Sequence, residues 1–182
     1  MPRIPALTNR DDVPEEVRPI YDEILGKRGG RIPEPTAVML HAPEVARAAA
    51  SLRAMLQHDS SLSPAEQELT IITVARCFNN DYVWGAHTPA ALAAGVSQPT
   101  IDAINARAAL NSATPAEAII IRFVREVIEK ERVSDETFDA AHARHGDRGI
   151  IEMIALMARY VLTSFVVKVA ELDSRPERPR LA

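Results

Sequence analysis

Two ionisable residues stand where apolar ones would be expected, and both have side chains able to move protons. Glu68 and His87 lie in the stretch from Ser63 to Gly95, SPAEQELTIITVARCFNNDYVWGAHTPAALAAG. On a helix turning about 100° per residue, Glu68 shares a stripe with Ile71, Ile72 and Ala75, while Gln67, Thr70, Thr73 and Cys77 fall on other faces. His87 shares a stripe with Asn80, Val83, Trp84, Ala90, Ala91 and Ala94. The pattern points both groups into a core or a pocket. Desolvation there raises a carboxyl pKa and lowers an imidazole pKa, bringing both toward neutrality as acid–base catalysis requires. Arg76, near the edge of the Glu68 face, has the charge to hold a substrate carboxylate or, equally, to form a structural ion pair. Trp84 and Tyr82 read as pocket wall or core rather than as chemical participants.

The other reactive residue types lead elsewhere. Cys77 lies off the Glu68 stripe and reads as a buried, inert thiol. As the single cysteine it forms no internal disulfide. His142 and His145 stand beside Asp147, but a zinc site needs further matched ligands, and histidines at a helix end commonly meet its last carbonyls. No metal or other cofactor is expected. There is no glycine-rich phosphate loop, and no serine stands in a nucleophile-elbow context.

The elements that must position Glu68 and His87 are helical. Ser63-Pro-Ala-Glu66 is a capping box with proline at its first helical position, and it opens the helix bearing Glu68. A second helix starts at Asn79 or Asn80 and ends at Gly95, with a kink expected at Pro89 and close approach of another helix expected at Gly85-Ala86. Upstream, a helix beginning after Asp12 ends at Gly29-Gly30, and the prolines from Pro33 to Pro43 divide a turn, a short helix from Thr36 to His41 and a longer one to His58. Downstream come a short helix from Ser97 to Arg107, one capped by Thr114-Pro-Ala-Glu117 and running to Arg132, one from Ser134 to Gly146, and a long apolar helix from Asp147 to Leu172. Glu152, Arg159 and Lys168 interrupt that last run and leave no charge-free span of the ~20 residues that a bilayer requires. No stretch alternates with period two. The expected fold is therefore an all-α, single-domain helical bundle with the 63–95 helix pair at its centre. An N-terminal arm and first helix occupy 1–35, the helical domain 36–172 and a disordered tail 173–182.

Composition narrows the partners. The 182 residues carry a formal charge of −4, and no concentrated basic patch marks a nucleic-acid or membrane-surface protein. The first residues, MPRIPALTNRDD, lack the apolar core of a signal peptide, so a cytoplasmic location is expected. The last helix holds more apolar surface than one domain of this size needs to cover, which predicts a homo-oligomer.

Glu68, eleven intervening residues, Asn80 and then Tyr82-Val83-Trp84-Gly85-Ala86-His87 resembles the central motif of the carboxymuconolactone decarboxylase superfamily, which includes the alkyl hydroperoxide reductase D-type peroxidases. In the peroxidase branch that motif resembles Glu-x11-Cys-x-x-Cys-x-x-x-His, so Asn80 and Val83 stand at its two cysteine positions. The Tyr-x-Trp-x-x-His form looks like the decarboxylase branch. The resemblance extends to Ala75-Arg76, to Ala94-Gly95-Val96-Ser97 and, more weakly, to Leu40-His41-Ala42-Pro43 and the last helix. It implies an alkyl hydroperoxide reductase D-like fold, assembly as a trimer or a hexamer of trimers, and a cofactor-free carboxy-lyase acting on a small carboxylated lactone or related substrate. Glu68 and His87 are the expected catalytic pair, with Arg76, Asn80, Tyr82, Val83 and Trp84 around the substrate. Two alternatives stay open. One is an antioxidant peroxidase of the same superfamily, although neither Asn80 nor Val83 can supply its thiols. The other is a non-catalytic helical oligomer that binds a small molecule or partner protein.

Overall fold

A computed structural model describes residues 2–27 and 29–182; Met1 and Arg28, both within the expected 1–35 arm, lie outside the described residues. Eight α-helices follow two 3-10 turns (Arg10–Asp12 and Glu15–Val17), and no strand is present among the described residues. They are α1 (Arg18–Lys27), α2 (Glu34–Met39), α3 (Pro43–His58), α4 (Pro64–Cys77), α5 (Asp81–Ala93), α6 (Gln98–Asn105), α7 (Pro115–Glu129) and α8 (Asp135–Ala170). The fold is all-α, as the periodicity requires.

Local chemistry sets the boundaries. Ser63 and Thr114 each accept the amide of the residue three positions on, and Glu66 and Glu117 reach back to the capping residue, completing both boxes. Pro14 starts a 3-10 turn instead of α1. Pro19, with no amide to donate, allows the α-helix only from Arg18 onward. α8 is two helices joined at Gly146, whose φ of 60° and ψ of −176° suit glycine alone. The break falls where the sequence ends one helix and starts the next.

α4 is the structural axis. It packs against α5, α7 and α8, and its residues Leu69 to Ala75 are all buried, including Thr70 and Thr73. Those threonines lie off the Glu68 stripe and are buried all the same. Their hydroxyls donate to the carbonyls of Glu66 and Leu69, which lets a polar side chain sit in an apolar layer with its hydrogen bond made. The main core joins α4 to Trp84, Ile104, Ile121, Val124 and Met153. A second cluster joins Leu7, Val13, Ile24, Leu40 and Ala46. The arm is thus built onto α2 and α3, across the division expected at residue 35. Leu7 N–H donates to the Ala37 carbonyl and Tyr21 Oη to that of Thr8, holding the first residues on their own chain.

α5 carries Pro89 inside a single helix that runs to Ala93. Two local expectations differ from the structure. At Gly85 the close neighbour is the 173–182 segment, not another helix. That segment has no helix, yet it is not a detached tail. Leu181 packs on the main core, and its amide and that of Ala182 donate to Asp81 and Asn105.

By length and composition α8 is apolar enough to cross a membrane, but 56% of its apolar window is buried within the domain. Two of its three interrupting charges have internal partners. Glu152 meets Arg148, Ser60 and Ser61, and Arg159 donates to the Ala49 carbonyl and to Thr163.

Candidate functional site

α4 and α5 pack as a pair, and their stripes meet. His87 Nδ1 lies 2.8 Å from Glu68 Oε2, with both side chains about one-fifth exposed. The other ring nitrogen, Nε2, lies 3.1 Å from the hydroxyl of Tyr160 on α8, and the two rings meet edge to face at 5.0 Å. With Glu68 ionised, Nδ1 holds the proton and donates it to the carboxylate, leaving the Nε2 lone pair toward the Tyr160 hydroxyl. Glu68, His87 and Tyr160 form one hydrogen-bonded chain across three helices.

Two adjoining cavities flank that chain. One, of about 190 Å³, is bounded by Tyr82, Val83 and His87 of α5, by α2, by Arg159, Tyr160 and Thr163 of α8, and by Arg31, Arg53 and Arg178. The other, of about 320 Å³, is bounded by Glu68, Gln67 and Ile71 of α4 together with Leu56 and Leu156. Arg53, His87, Arg159 and Tyr160 line both. His87 and Tyr160 therefore stand in the wall between the two spaces.

The charge around the first cavity is one-sided. Arg3, Arg10, Arg47, Arg107, Arg144 and Arg148 each meet a carboxylate within 3.1 Å. Among the described residues, Arg31, Arg53, Arg159 and Arg178 form no ion pair, as is true of Arg18, Arg76, Arg125, Arg132, Arg175 and Arg180, but these four line one cavity. Arg159 is the deepest, at 6% exposed, and burial pulls its pKa below the usual range. A chain of net charge −4 gathers four guanidinium groups at one small space, which is a setting for an anion. Tyr82 supplies a neutral wall, because burial and the nearby Glu34 carboxylate push its pKa up to about 12.

Several residues expected near the substrate are elsewhere. Arg76 lines neither cavity; its Nε donates to the Asn105 carbonyl at 2.6 Å and Nη1 to Asn79, fastening α4 to the end of α6. Its long side chain turns away from the Glu68 stripe. Asn80 caps α5 by accepting the Val83 amide, and Trp84 is 1% exposed in the main core. Neither lines the two cavities, because α5 is covered on both sides and its stripe divides between core and cavity. Tyr82 and Val83 do line the first cavity. Cys77 faces Glu129 rather than Glu68, and burial together with that carboxylate pushes its thiol up to about 12. His142 pairs with Asp147 across the Gly146 break, and no group of three or more histidine, cysteine or acidic residues gathers as a metal site among the described residues.

Tyr160, Arg53, Arg159 and Arg178 were not singled out as site residues from the sequence. The available signal was an Arg159, Tyr160 and Thr163 interruption of an otherwise apolar helix, which places polar groups on one face one turn apart.

Residues 43–126 match the carboxymuconolactone decarboxylase family, a span that runs from α3 into α7 and contains Glu68 and His87. A debrominase, Bmp8, in the form of a cysteine-to-alanine variant in complex with 2,3,4-tribromopyrrole, shares the fold with a TM-score of 0.74 at 15% identity, over 96% of this chain and 92% of that one. The apo debrominase gives 0.71 at the same identity and coverage. An uncharacterized peroxidase-related protein from Ralstonia eutropha JMP134, an alkylhydroperoxidase AhpD core, gives 0.64 at 16% identity, over 97% and 93% of the two chains. Comparison with curated proteins finds no match. The family match and the shared helical architecture agree: residues 43–126, which hold Glu68 and His87, match the carboxymuconolactone decarboxylase family, and the chain has an alkylhydroperoxidase AhpD-like fold.

Proposed function

We propose that this protein is a carboxy-lyase that decarboxylates a small unsaturated lactone acid or a related carboxylated substrate by acid–base chemistry. The observation that supports it is the Glu68–His87–Tyr160 chain set in the wall of an arginine-lined cavity. In the reaction the carbon–carboxylate bond breaks, and its electron pair passes into the conjugated lactone carbonyl as an enolate. A proton then goes to carbon. Carbon dioxide leaves, and one proton is taken up.

The residues divide the work by position. Arginines hold the substrate carboxylate, and Arg159, desolvated, is also a donor to developing enolate charge. His87 delivers the proton or relays it through the Tyr160 hydroxyl, and Glu68 fixes the ring tautomer and balances the imidazolium that forms when His87 is protonated. Cys77 opposes a thiol-peroxidase reading, since a thiol raised to about 12 is almost wholly protonated near neutrality.

The test is turnover. Purified protein incubated with carboxylated unsaturated lactones should release carbon dioxide, and Glu68→Gln should abolish most of it. Binding of such acids without release, in wild type as in the variant, would leave only the binding-protein alternative.

A further inference from the structure

One side of the cavity is closed by chain from outside the helices that carry Glu68, His87 and Tyr160. Arg178 belongs to neither α4, α5 nor α8, but to the segment that follows α8 and returns across α5. That course is fixed at three points. The Leu181 amide donates to Asp81 Oδ1 at 2.8 Å, the Ala182 amide donates to Asn105 Oδ1 at 2.9 Å, and the Leu181 side chain rests on the main core.

Gly85 decides how closely the segment can lie. A Cβ placed there would stand 2.8 Å from both Arg178 Cβ and the Pro179 carbonyl oxygen, and 3.2 Å from Ser174 Oγ. Gly85 is absent from the glycines with positive φ, so its backbone needs no glycine. Within a helix glycine is also a poor former compared with alanine. What requires it is space. The missing side chain lets the segment press onto α5 and turn Arg178 inward, half-buried, with its guanidinium 5.8 Å above the Tyr82 ring.

There Arg178 differs from the other cavity arginines. Arg159 spends donors on the Ala49 carbonyl and Thr163, and Arg53 donates to Gln57. Arg31 is exposed on the loop before α2. Among the described residues the Arg178 guanidinium has no hydrogen bond; its position over the Tyr82 ring leaves its donors to a ligand.

We propose that Arg178 is a substrate-binding residue, delivered by a strap of residues 174–182 that Gly85 admits, and that it binds the carboxylate of an anionic ligand at the mouth of the cavity. This rests on the carboxylate reading above. It adds a recognition residue that lies outside the 43–126 family region.

Titration calorimetry with muconolactone, an unsaturated lactone bearing one carboxylate, and with its methyl ester tests the assignment. Wild type should prefer the acid. Arg178→Gln should weaken acid binding by about 10- to 100-fold, as expected for loss of a hydrogen-bonded charge, and leave ester binding unchanged. Gly85→Ala keeps Arg178 and favours the helix, yet displaces the strap, so it should reproduce the loss. Arg175→Gln, on the same strap but not lining the cavity, should stay within about 2-fold of wild type, the scale of a surface substitution. Circular dichroism of each variant reports folding. Wild type that prefers the acid alongside an unaffected Arg178→Gln overturns the strap assignment and leaves the carboxylate reading standing. Full acid affinity in Gly85→Ala overturns the role given to Gly85. Wild type that binds acid and ester alike, or neither, overturns the carboxylate reading and the strap assignment together.

Discussion

Glu152 and Tyr160 lie roughly two turns apart on α8 and belong to polar networks of opposite kinds. Around Glu152 the network is closed. Its carboxylate accepts from Arg148 at 2.7 Å, from the Ser61 amide and hydroxyl at 2.7 Å, and from the Ser60 hydroxyl at 2.9 Å, joining α8 to the loop before α4. Burial works against that charge, but the donors outweigh it and hold the pKa down to about 2. Around Glu68 and His87 the network borders cavities. Glu68 and His87 have each other, His87 has the Tyr160 hydroxyl, and beyond them lie cavities walled by arginines without carboxylate partners. A buried charge with four protein donors around it serves the fold. One set against an unfilled space is placed to act on something else.

The largest separation between the two should appear in rate. Glu68→Gln keeps the shape of the side chain and removes its charge, and a loss of ~10²–10⁴ in kcat is expected with little change in melting temperature. His87→Asn should cost a similar factor. Because the two groups form one hydrogen-bonded unit, the double variant should lose less than the product of the single losses. Steady-state kinetics of the three variants checks this, and full activity in Glu68→Gln would break the contrast at its cavity end.

At the closed end the effect should fall on stability. Glu152→Gln should cost on the order of 2 kcal/mol, about 30-fold in the folding equilibrium, with kcat unchanged. The pH dependence has a definite sign. A folded-state pKa of about 2 against an ordinary 4.5 means that Glu152 contributes stability above about pH 4.5, and that the contribution is lost as pH falls toward 2. Glu126 behaves alike. The Ser134 amide, then Lys130 and the Ser134 hydroxyl, hold it near 2 against burial. Denaturant melts between pH 2 and 5 should show wild type losing stability through this window, and Glu152→Gln losing less of it.

α8 also has an outer face that neither network uses. Ile151, Ile154, Phe165 and Val169 are exposed at helical spacing, and an apolar hollow between α7 and α8 continues the patch. A homo-oligomer would cover it. A trimer, or a hexamer of trimers, is the expected state, so light scattering should give at least threefold the 19.9 kDa chain mass. Ile154→Glu with Phe165→Glu should reduce that mass to the monomer. A monomeric wild type at micromolar concentration would count against the assembly.

The parts of the site that were legible in the sequence are those that local periodicity controls. Glu68 and His87 each stood on an apolar stripe, and consecutive helices with a short connection had few ways to pack except stripe to stripe. Ser63 and Thr114 announced their helices through groups three residues away. Tyr160 was not legible as a partner, because it reaches His87 across 73 positions and a stripe does not say which helix it will meet. Arg178 was hidden by composition. Prolines and arginines read as disorder, whereas two amides, Leu181 and the missing side chain at Gly85 fasten the segment down. Arg76 was misplaced because a side chain that long is not located by the direction of its Cβ.

The smallest expected effect belongs to Cys77, on the same helix as Glu68 but facing the other way. Burial first, and then the Glu129 carboxylate, push its thiol up to about 12, which leaves it protonated near neutrality. Peroxide reduction by a thiol needs that anion, with a second thiol to resolve the product, and the chain has no other cysteine. Cys77→Ser should therefore leave decarboxylase turnover within about 2-fold of wild type and shift stability by less than about 1 kcal/mol, as a near-isosteric change. Hydroperoxide consumption should be negligible in both proteins. If wild type instead reduced organic hydroperoxides briskly and Cys77→Ser did not, the reactive face of α4 would be the one toward α7. The network around Glu68 would then need another explanation.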